Sequence, residues 1–172
     1  MRILLIRHAI AEERDVWAAT GSSDEQRPLT SDGAKKMKKA TKGLMELVPT
    51  LTAIASSPLI RAWQTASIVA DQYYGRSPEI LPALAPSGHR EDVLTWINQF
   101  EGGTVAVVGH EPDLSELCGW LIARRTESNI EFKKGGVALL EFGTERVAGT
   151  ATLKWLMTNS QLKAFRPIEP TA

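Results

Sequence analysis

Apolar and polar residues alternate along the chain in blocks that predict strands separated by helices. Continuous apolar runs of strand length occur at residues 1–7, 51–55 and 104–108, and such runs are typical of strands covered on both faces of a sheet. After Thr30, apolar residues recur at helical spacing as far as Val48, and at ~100° per residue they fall on one side of a helix. The opposite side, interpreted as solvated, carries Lys35, Lys36, Lys38, Lys39 and Lys42.

The remaining segments extend this alternation. Ser57-Pro58 is typical of a helix start, with Ser as the cap and Pro at the first helical position, and that helix is predicted to continue to Tyr73. We therefore predict an α/β three-layer sandwich with a mainly parallel sheet and helices on both faces. The other predicted elements are a long loop at 10–28, an extended piece at 79–84, helices at 90–100 and after Pro112, and strands at 137–142 and 151–157. Residues 1–158 are predicted to form a single domain, and residues 159–172 a tail or surface wrap.

Composition and charge exclude several classes of function. The chain has 172 residues, of which 43% are hydrophobic, and 20 basic residues balance 20 acidic ones. This balance argues against nucleic acid or a membrane surface as a partner, because both attract a surplus of Lys and Arg. The single cysteine, Cys118, excludes an internal disulfide and suits a reducing compartment. The apolar run at the N-terminus is too short for a signal peptide, so we expect a cytoplasmic protein.

Chemically active side chains follow the predicted strands directly. Arg7-His8 and Gly109-His110 come immediately after the two strands with the strongest apolar runs. Ligands of such sheets bind outside the carboxyl ends of the strands. If the two strands are neighbours, both imidazoles lie in one cleft.

Two kinds of site fit such a cleft. A metal site is disfavoured, because the chain has no His-Glu-x-x-His or His-x-His sequence and nothing fixes another ligand beside His8 or His110. A phosphate site is favoured, because Arg7 adjoins His8 and Arg61 lies in the first turn of the helix that Ser57-Pro58 opens. Helix N-termini attract anions, and guanidinium groups offer paired donors to phosphate oxygens.

Four short segments in this order resemble the motifs of the histidine phosphatase superfamily, in particular its small SixA-type phosphohistidine phosphatases. Together they span residues 6 to 112, and Ala9 stands where the superfamily more commonly has Gly. The segments are Ile6-Arg7-His8-Ala9, Arg27-Pro28-Leu29-Thr30-x-x-Gly33, Ser57-Pro58-x-x-Arg61-Ala62-x-Gln64-Thr65 and Gly109-His110-Glu111-Pro112.

The resemblance implies a phosphoglycerate-mutase-like fold and a phosphatase that needs no metal or other cofactor. His8 would be the nucleophile and form a phosphohistidine, while Arg7, Arg61 and His110 would hold the phosphoryl oxygens. Arg27 matches an arginine that is often found near the pocket. The pocket itself would bind phosphate or its mimics. Since imidazole attacks phosphorus only when neutral and its reference pKa is ~6.5, we expect activity to fall below pH ~6.

The sequence offers no clear general acid, and this bears on the substrate. His89 and Glu91 occupy the stretch where larger relatives carry a glutamate, but both also suit the start of a helix. An alcohol leaving group needs acid assistance, whereas a phosphohistidine can leave as neutral imidazole. The preferred hypothesis is therefore a phosphatase acting on a phosphohistidine-carrying signalling protein. The alternatives are a phosphatase of small phosphomonoesters, a phosphate-binding module without turnover, and an enzyme with Cys118 as its nucleophile.

Overall fold

Six strands form one sheet in a computed structural model that describes residues 1–75, 77–127 and 129–165. The strands are β1 (Arg2–Arg7), β2 (Ala53–Ser56), β3 (Glu79–Ile80), β4 (Thr104–Gly109), β5 (Val137–Phe142) and β6 (Ala151–Met157). Their order across the sheet is β3-β2-β4-β1-β5-β6. The first four pair in parallel, β5 is antiparallel to β1, and β6 is antiparallel to β5. Only β5 is therefore reversed, and the mainly parallel sheet is confirmed.

Helices cover both faces of this sheet. They are α1 (Arg14–Ala18), α2 (Ser31–Leu47), α3 (Ile60–Gln72), α4 (Arg90–Ile97), α5 (Asp113–Ala123) and α6 (Asn159–Ala164). Helices α2, α3 and α6 contribute to the apolar core on one face, and α4 and α5 contribute to the core on the other. The predicted α/β three-layer sandwich is therefore confirmed. None of the described helices is both long and apolar enough to cross a bilayer.

Strand β1 shows why its apolar run is continuous. Leu4 and Ile6 pack against the helices of one face, while Ile3 and Leu5 pack against those of the other. Successive side chains of a strand point to opposite faces, so a central strand of a three-layer sandwich needs apolar residues at every position. All four side chains are fully buried.

The register of the central strands brings the predicted site together. Arg7 of β1 is paired with Gly109 of β4, and the backbone N–H of His8 donates to the Gly109 carbonyl at 3.0 Å. On the other side of β4, the backbone N–H of Ser57 donates to the Val108 carbonyl at 2.9 Å. The residues that follow β1, β2 and β4 therefore lie side by side at the carboxyl ends of these parallel strands.

Several predicted boundaries are wrong. Residues 10–28 contain α1 and a 3-10 turn at Asp24–Gln26, and β3 has two residues followed by another turn at Pro82–Leu84. Helix α4 ends at Ile97, three residues before the predicted end. Helix α3 begins at Ile60, because the backbone at Leu59 is still extended.

The predicted tail from Asn159 onward begins as a helix. Residues Asn159–Ala164 form α6, which the side chain of the preceding Thr158 caps. Leu162 of this helix is fully buried in the core that α2 also contributes to. This segment therefore packs on the domain, and residues 166–172 lie outside the described part of the chain.

A close backbone contact fixes the loop after β1 against α2. The Thr30 backbone N–H donates to the Ile10 carbonyl at 3.0 Å, and its side chain caps α2 by accepting from the Gly33 N–H at 2.9 Å. A Cβ on Gly33 would lie 2.1 Å from the Ile10 carbonyl oxygen. Only glycine fits there, because any side chain would push the loop off the helix.

Candidate active site

A polar cleft of about 590 Å3 opens where β1, β2 and β4 end. His8, Arg7, Arg61 and His110 all line it, as does Arg27. The rings of His8 and His110 lie with their centroids 5.2 Å apart. The structure therefore brings the five residues predicted from strand ends and motifs into one place. Four carboxylic acids, Glu13, Glu111, Asp113 and Glu116, also line the cleft.

Hydrogen bonding determines which nitrogen of His8 is free. The His8 side chain is buried, and its Nδ1 lies 2.7 Å from the Ala9 carbonyl oxygen. Since a carbonyl oxygen only accepts, we assign the ring proton to Nδ1, which leaves the lone pair on Nε2. The hydroxyl of Thr65 accepts from the Ala9 N–H at 3.0 Å and donates to the Arg61 carbonyl at 2.7 Å. The Ala9 peptide that orients His8 is therefore itself fixed to α3.

Ser57 holds the second histidine. The Ser57 hydroxyl lies 2.8 Å from Nε2 of His110 and accepts from the Leu59 N–H at 3.3 Å. Its own proton is then free to point at Nε2, so we assign the His110 proton to Nδ1. That Nδ1 is buried without a hydrogen-bond partner among the described residues. Ser57 is thus part of the site rather than the helix cap that its position before Pro58 predicted.

Both imidazoles are neutral over the physiological range. Burial lowers the pKa of His8 to about 4, and the charges of Arg61, Arg7 and Arg27 act in the same direction, against the hydrogen bond to Ala9. Burial, followed by the proximity of His8 and Arg61, lowers the pKa of His110 to about 3. A charged imidazole loses hydration in this cleft, and at His110 the charge of Asp24 offsets this loss only in part.

The lowered pKa of His8 shifts to lower pH the point at which activity is expected to fall. Because only neutral His8 is a nucleophile, we expect the group to stay active down to pH of about 4, rather than pH ~6 as the reference value implies. The imidazole NMR signals of His8, assigned with the His8→Ala variant, should titrate with a midpoint below pH 5, and kcat/KM should fall with the same midpoint. A midpoint at pH 6 or above would contradict the burial described here.

Asp24 positions two of the arginines and was not predicted from the sequence. Its carboxylate accepts from Nε of Arg27 at 2.8 Å and lies 3.0 Å from Nη2 of Arg61. Its backbone carbonyl accepts from Nη1 of Arg61 at 2.8 Å. Although desolvation opposes it, the hydrogen bond from Arg27 and the charge of Arg61 hold the pKa of Asp24 below its usual range. Asp24 therefore stays ionised and fixes one side of each guanidinium group.

Removing this carboxylate should slow the enzyme without unfolding it. We expect Asp24→Ala to lower kcat by about tenfold, because a guanidinium group that is no longer held samples unproductive orientations. Asp15→Ala is the matched control, since Asp15 is an exposed acid on the neighbouring helix α1. Steady-state kinetics and melting temperatures of the two variants make the comparison. An unchanged kcat in Asp24→Ala would show that Arg61 needs no such support.

Glu111 and Arg7 are linked through the backbone of Phe132. One Glu111 oxygen accepts from the Phe132 N–H at 3.2 Å, and the other contacts the Ser115 hydroxyl. The Phe132 carbonyl in turn accepts from Nη1 of Arg7 at 2.5 Å. Burial raises the pKa of Glu111. Glu111 appeared in the sequence as part of a motif, but its role depends on Phe132, which lies 21 residues away.

The two general-acid candidates from the sequence are not brought to the cleft. His89 and Glu91 are exposed, and neither is among the cleft-lining residues. Glu91 instead lies 3.8 Å from the guanidinium group of Arg90. Their position at the start of α4 agrees with the alternative interpretation as helix-entry residues.

Other candidate groups are separate from this chemistry. Cys118 is fully buried in the apolar core, and burial raises the pKa of its thiol to about 12, so it is no nucleophile. The methyl group of Ala9 packs in the other core and does not line the cleft. Within residues 1–75, 77–127 and 129–165, no three His, Cys, Asp or Glu side chains cluster as metal ligands would.

The sequence of this chain is similar to proteins of one family. The sequence model of the histidine phosphatase superfamily (branch 1) matches residues 3–86. An uncharacterized protein of Picosynechococcus sp. is 34% identical over 163 residues, which are 92% of this chain and 96% of that protein. Phosphohistidine phosphatase SixA of Escherichia coli is 29% identical over 174 residues, covering 98% of this chain and all of that protein.

Solved structures agree with the sequence comparison. The protein histidine phosphatase SixA, solved in complex with tungstate, superposes with a TM-score of 0.80 at 26% identity, covering 94% of this chain and 99% of that one. A phosphoserine phosphatase from Entamoeba histolytica superposes with a TM-score of 0.71 at 15% identity, covering 94% of this chain and 98% of that one. The second likeness shows a common fold.

Proposed function

Because the chain belongs to the histidine phosphatase superfamily, we propose that it removes the phosphoryl group from phosphohistidine on a protein, by way of a covalent phospho-His8 intermediate. Phosphatase activity follows from the family. One observation carries the proposed mechanism: His8 is neutral and buried, its proton is held on Nδ1 by Ala9, and basic donors surround it. The substrate class rests on the similarity to SixA and on the hydrogen bonds that already occupy Glu111, the candidate general acid.

In the first step, Nε2 of His8 attacks the phosphorus atom. A bond forms between that nitrogen and phosphorus, and the bond from phosphorus to the substrate imidazole breaks. The substrate ring carries a proton from solvent on its other nitrogen, so when the electron pair of the broken bond returns to it, the ring leaves as neutral imidazole. Arg7, Arg61 and the Nδ1–H of His110 hold the phosphoryl oxygens, whose charge must be neutralised in the transition state.

In the second step, water attacks the phosphorus atom of phospho-His8. The bond from phosphorus to Nε2 breaks, its electron pair returns to His8, which keeps its proton on Nδ1, and both protons of the water molecule leave on the released phosphate. Neutral His8 is thereby regenerated. Several buried nitrogens of cleft-lining residues have no hydrogen-bond partner among the described residues, and three of them, Nε of Arg7, Nε of Arg61 and Nδ1 of His110, support this assignment. Buried donors ordinarily have a partner. Tungstate, found with the similar SixA, is a tetrahedral oxyanion like phosphate.

Glu111 favours a second candidate function, the hydrolysis of small phosphomonoesters. It lines the cleft, and burial raises its pKa, so it is the group to test as an acid for an alcohol leaving group. Its oxygens, however, already accept from the Phe132 N–H and contact the Ser115 hydroxyl. We therefore prefer phosphohistidine, whose leaving imidazole does not depend on an acid supplied by the enzyme.

Phosphate release from two substrates tests the proposal. A phosphohistidine-carrying protein and p-nitrophenyl phosphate are compared at matched enzyme concentration, with wild type and Glu111→Gln. We expect fast release from the protein, slow release from the ester, and protein turnover in Glu111→Gln within a few-fold of wild type. Fast ester turnover that Glu111→Gln abolishes would establish the second candidate instead. Cytoplasmic location and a signalling protein as partner stay predictions.

A further inference from the structure

A second groove, lined by lysines, lies beside the active site. Its volume is about 370 Å3, and its wall includes Ala9 and Ile10, which directly follow the nucleophile. No acidic residue is among the described residues that line it. The lysines come from three separate segments, namely Lys36 of α2, Lys133 and Lys134 of the loop before β5, and Lys163 of α6.

The charge of this groove is only partly compensated. Lys36 pairs with Asp32 at 2.6 Å, and Lys133 pairs with Glu131 at 2.5 Å. In the described ranges, no ion pair joins an acidic side chain to Lys134 or Lys163. Asp32 also interacts electrostatically with Lys163, without an ion pair between them. The chain as a whole is neutral, so the excess of lysines over acidic partners along this groove is a local feature. Lys36 also differs from the other lysines of α2, which are exposed, because it is half-buried in the groove wall.

The groove is joined directly to the catalytic strand. Lys134 lines both the groove and the active-site cleft. The next residue, Gly135, donates its N–H to the carbonyl of His8 at 3.0 Å, and the Gly136 carbonyl accepts from the Arg7 N–H at 3.0 Å. A chain bound in the groove would therefore lie against the backbone that carries the nucleophile.

We propose that this lysine groove binds acidic side chains of the phosphoprotein substrate, next to its phosphohistidine. The inference rests on the proposed function, because it names the surface that such a substrate must present. A phosphohistidine on a protein brings its surroundings into contact with the rim of the cleft. Positive charge at the rim attracts an acidic surface, raises the rate of encounter, and selects among substrates that share the same phosphoryl group.

Matched peptides and variants test this proposal. Two peptides with a central phosphohistidine, made with phosphoramidate, differ only in their flanking residues, which are all Glu or all Gln. At low salt we expect the kcat/KM of wild type to be about tenfold higher for the Glu peptide than for the Gln peptide. This preference should vanish in Lys36→Glu/Lys163→Glu, and it should also vanish when salt is added. The control Lys35→Glu/Lys38→Glu makes the same charge change on exposed lysines outside the groove. All variants should hydrolyse phosphoramidate itself at the wild-type rate.

Binding of an unphosphorylated Glu-rich peptide gives a readout that does not depend on turnover. Lys36→Glu/Lys163→Glu should weaken this binding about tenfold, and the milder Lys36→Gln/Lys163→Gln should do so in part, which guards against a folding defect. Equal kcat/KM of wild type for the two phosphopeptides would overturn the groove proposal alone. Equal binding of the Glu-rich peptide by Lys36→Glu/Lys163→Glu and by the control Lys35→Glu/Lys38→Glu would do the same. If wild type hydrolyses neither phosphopeptide yet turns over p-nitrophenyl phosphate, the proposed function fails, and this inference fails with it.

Discussion

Replacement of His8 by alanine is expected to reduce phosphatase turnover to the background rate. The substitution removes the nitrogen that attacks phosphorus. The other imidazole of the cleft, His110, has its Nε2 in a hydrogen bond with Ser57, and Cys118 is buried in the core. The fold should persist, because His8 directly follows the end of β1 and its side chain lines the cleft. The measurement is phosphate release from a phosphohistidine-carrying protein, with thermal unfolding alongside.

His89→Ala is the matched control for this substitution. His89 is exposed and does not line the cleft, so the same chemical change there should leave turnover intact. Labelling with a 32P-phosphorylated substrate adds a direct readout, because wild type should form a transient phosphoenzyme that His8→Ala does not. Turnover in His8→Ala above a few per cent of wild type would exclude His8 as the nucleophile. A wild type that binds phosphate but never becomes labelled would indicate the binding module without turnover.

Replacement of Arg61 by alanine is expected to lower kcat by ~100-fold, the usual loss when one transition-state donor is removed. Arg61 is almost fully buried at the second position of α3, where the free N–H groups of the helix add to its positive charge. Its Nε has no partner in the described protein, and phosphate would supply one. Lysine keeps the charge but not the paired donors, so Arg61→Lys should restore only part of the loss.

Single-turnover kinetics separate chemistry from binding in this variant. Arg125→Ala serves as the control, since Arg125 is exposed and lies outside the cleft. A loss of only a few-fold in Arg61→Ala would mean that the phosphoryl group is held elsewhere. The comparison with Asp24→Ala is informative as well. If Asp24 acts through Arg61 alone, the two substitutions combined should cost no more than Arg61→Ala, whereas an additional loss would show that its contact with Arg27 also contributes.

The central sheet and the meeting of the two histidines could be predicted because both depend on local patterns. Buried strands need apolar residues at every position, and β1 and β4 have them. Parallel neighbours then bring the residues that follow them to one edge. The beginning of α3 was less predictable, because a Ser before a Pro suits both a helix cap and the hydrogen bond that Ser57 makes to His110.

The parts of the site that were missed depend on contacts across the chain. Asp24 lies in a breaker-rich loop without periodicity, and its partner Arg61 is 37 residues away. The pKa of His8 could not be read from the sequence either, since it depends chiefly on burial in the folded cleft. A basic residue near a histidine predicts the direction of that change, but its size depends on how much water remains around the ring.

The hydrogen bonds that join the ends of β1, β2 and β4 have a consequence for biosynthesis. His8 is held by Gly109, and Ser57 by Val108, so the three parts of the pocket meet only after the last of these strands has paired. Contacts between residues so distant in sequence require the chain between them to be closed first, which slows their formation. A ribosome-bound chain shorter than about 110 residues therefore carries the nucleophile without a site to use it in. The active site is therefore complete only after β4 has paired with β1 and β2.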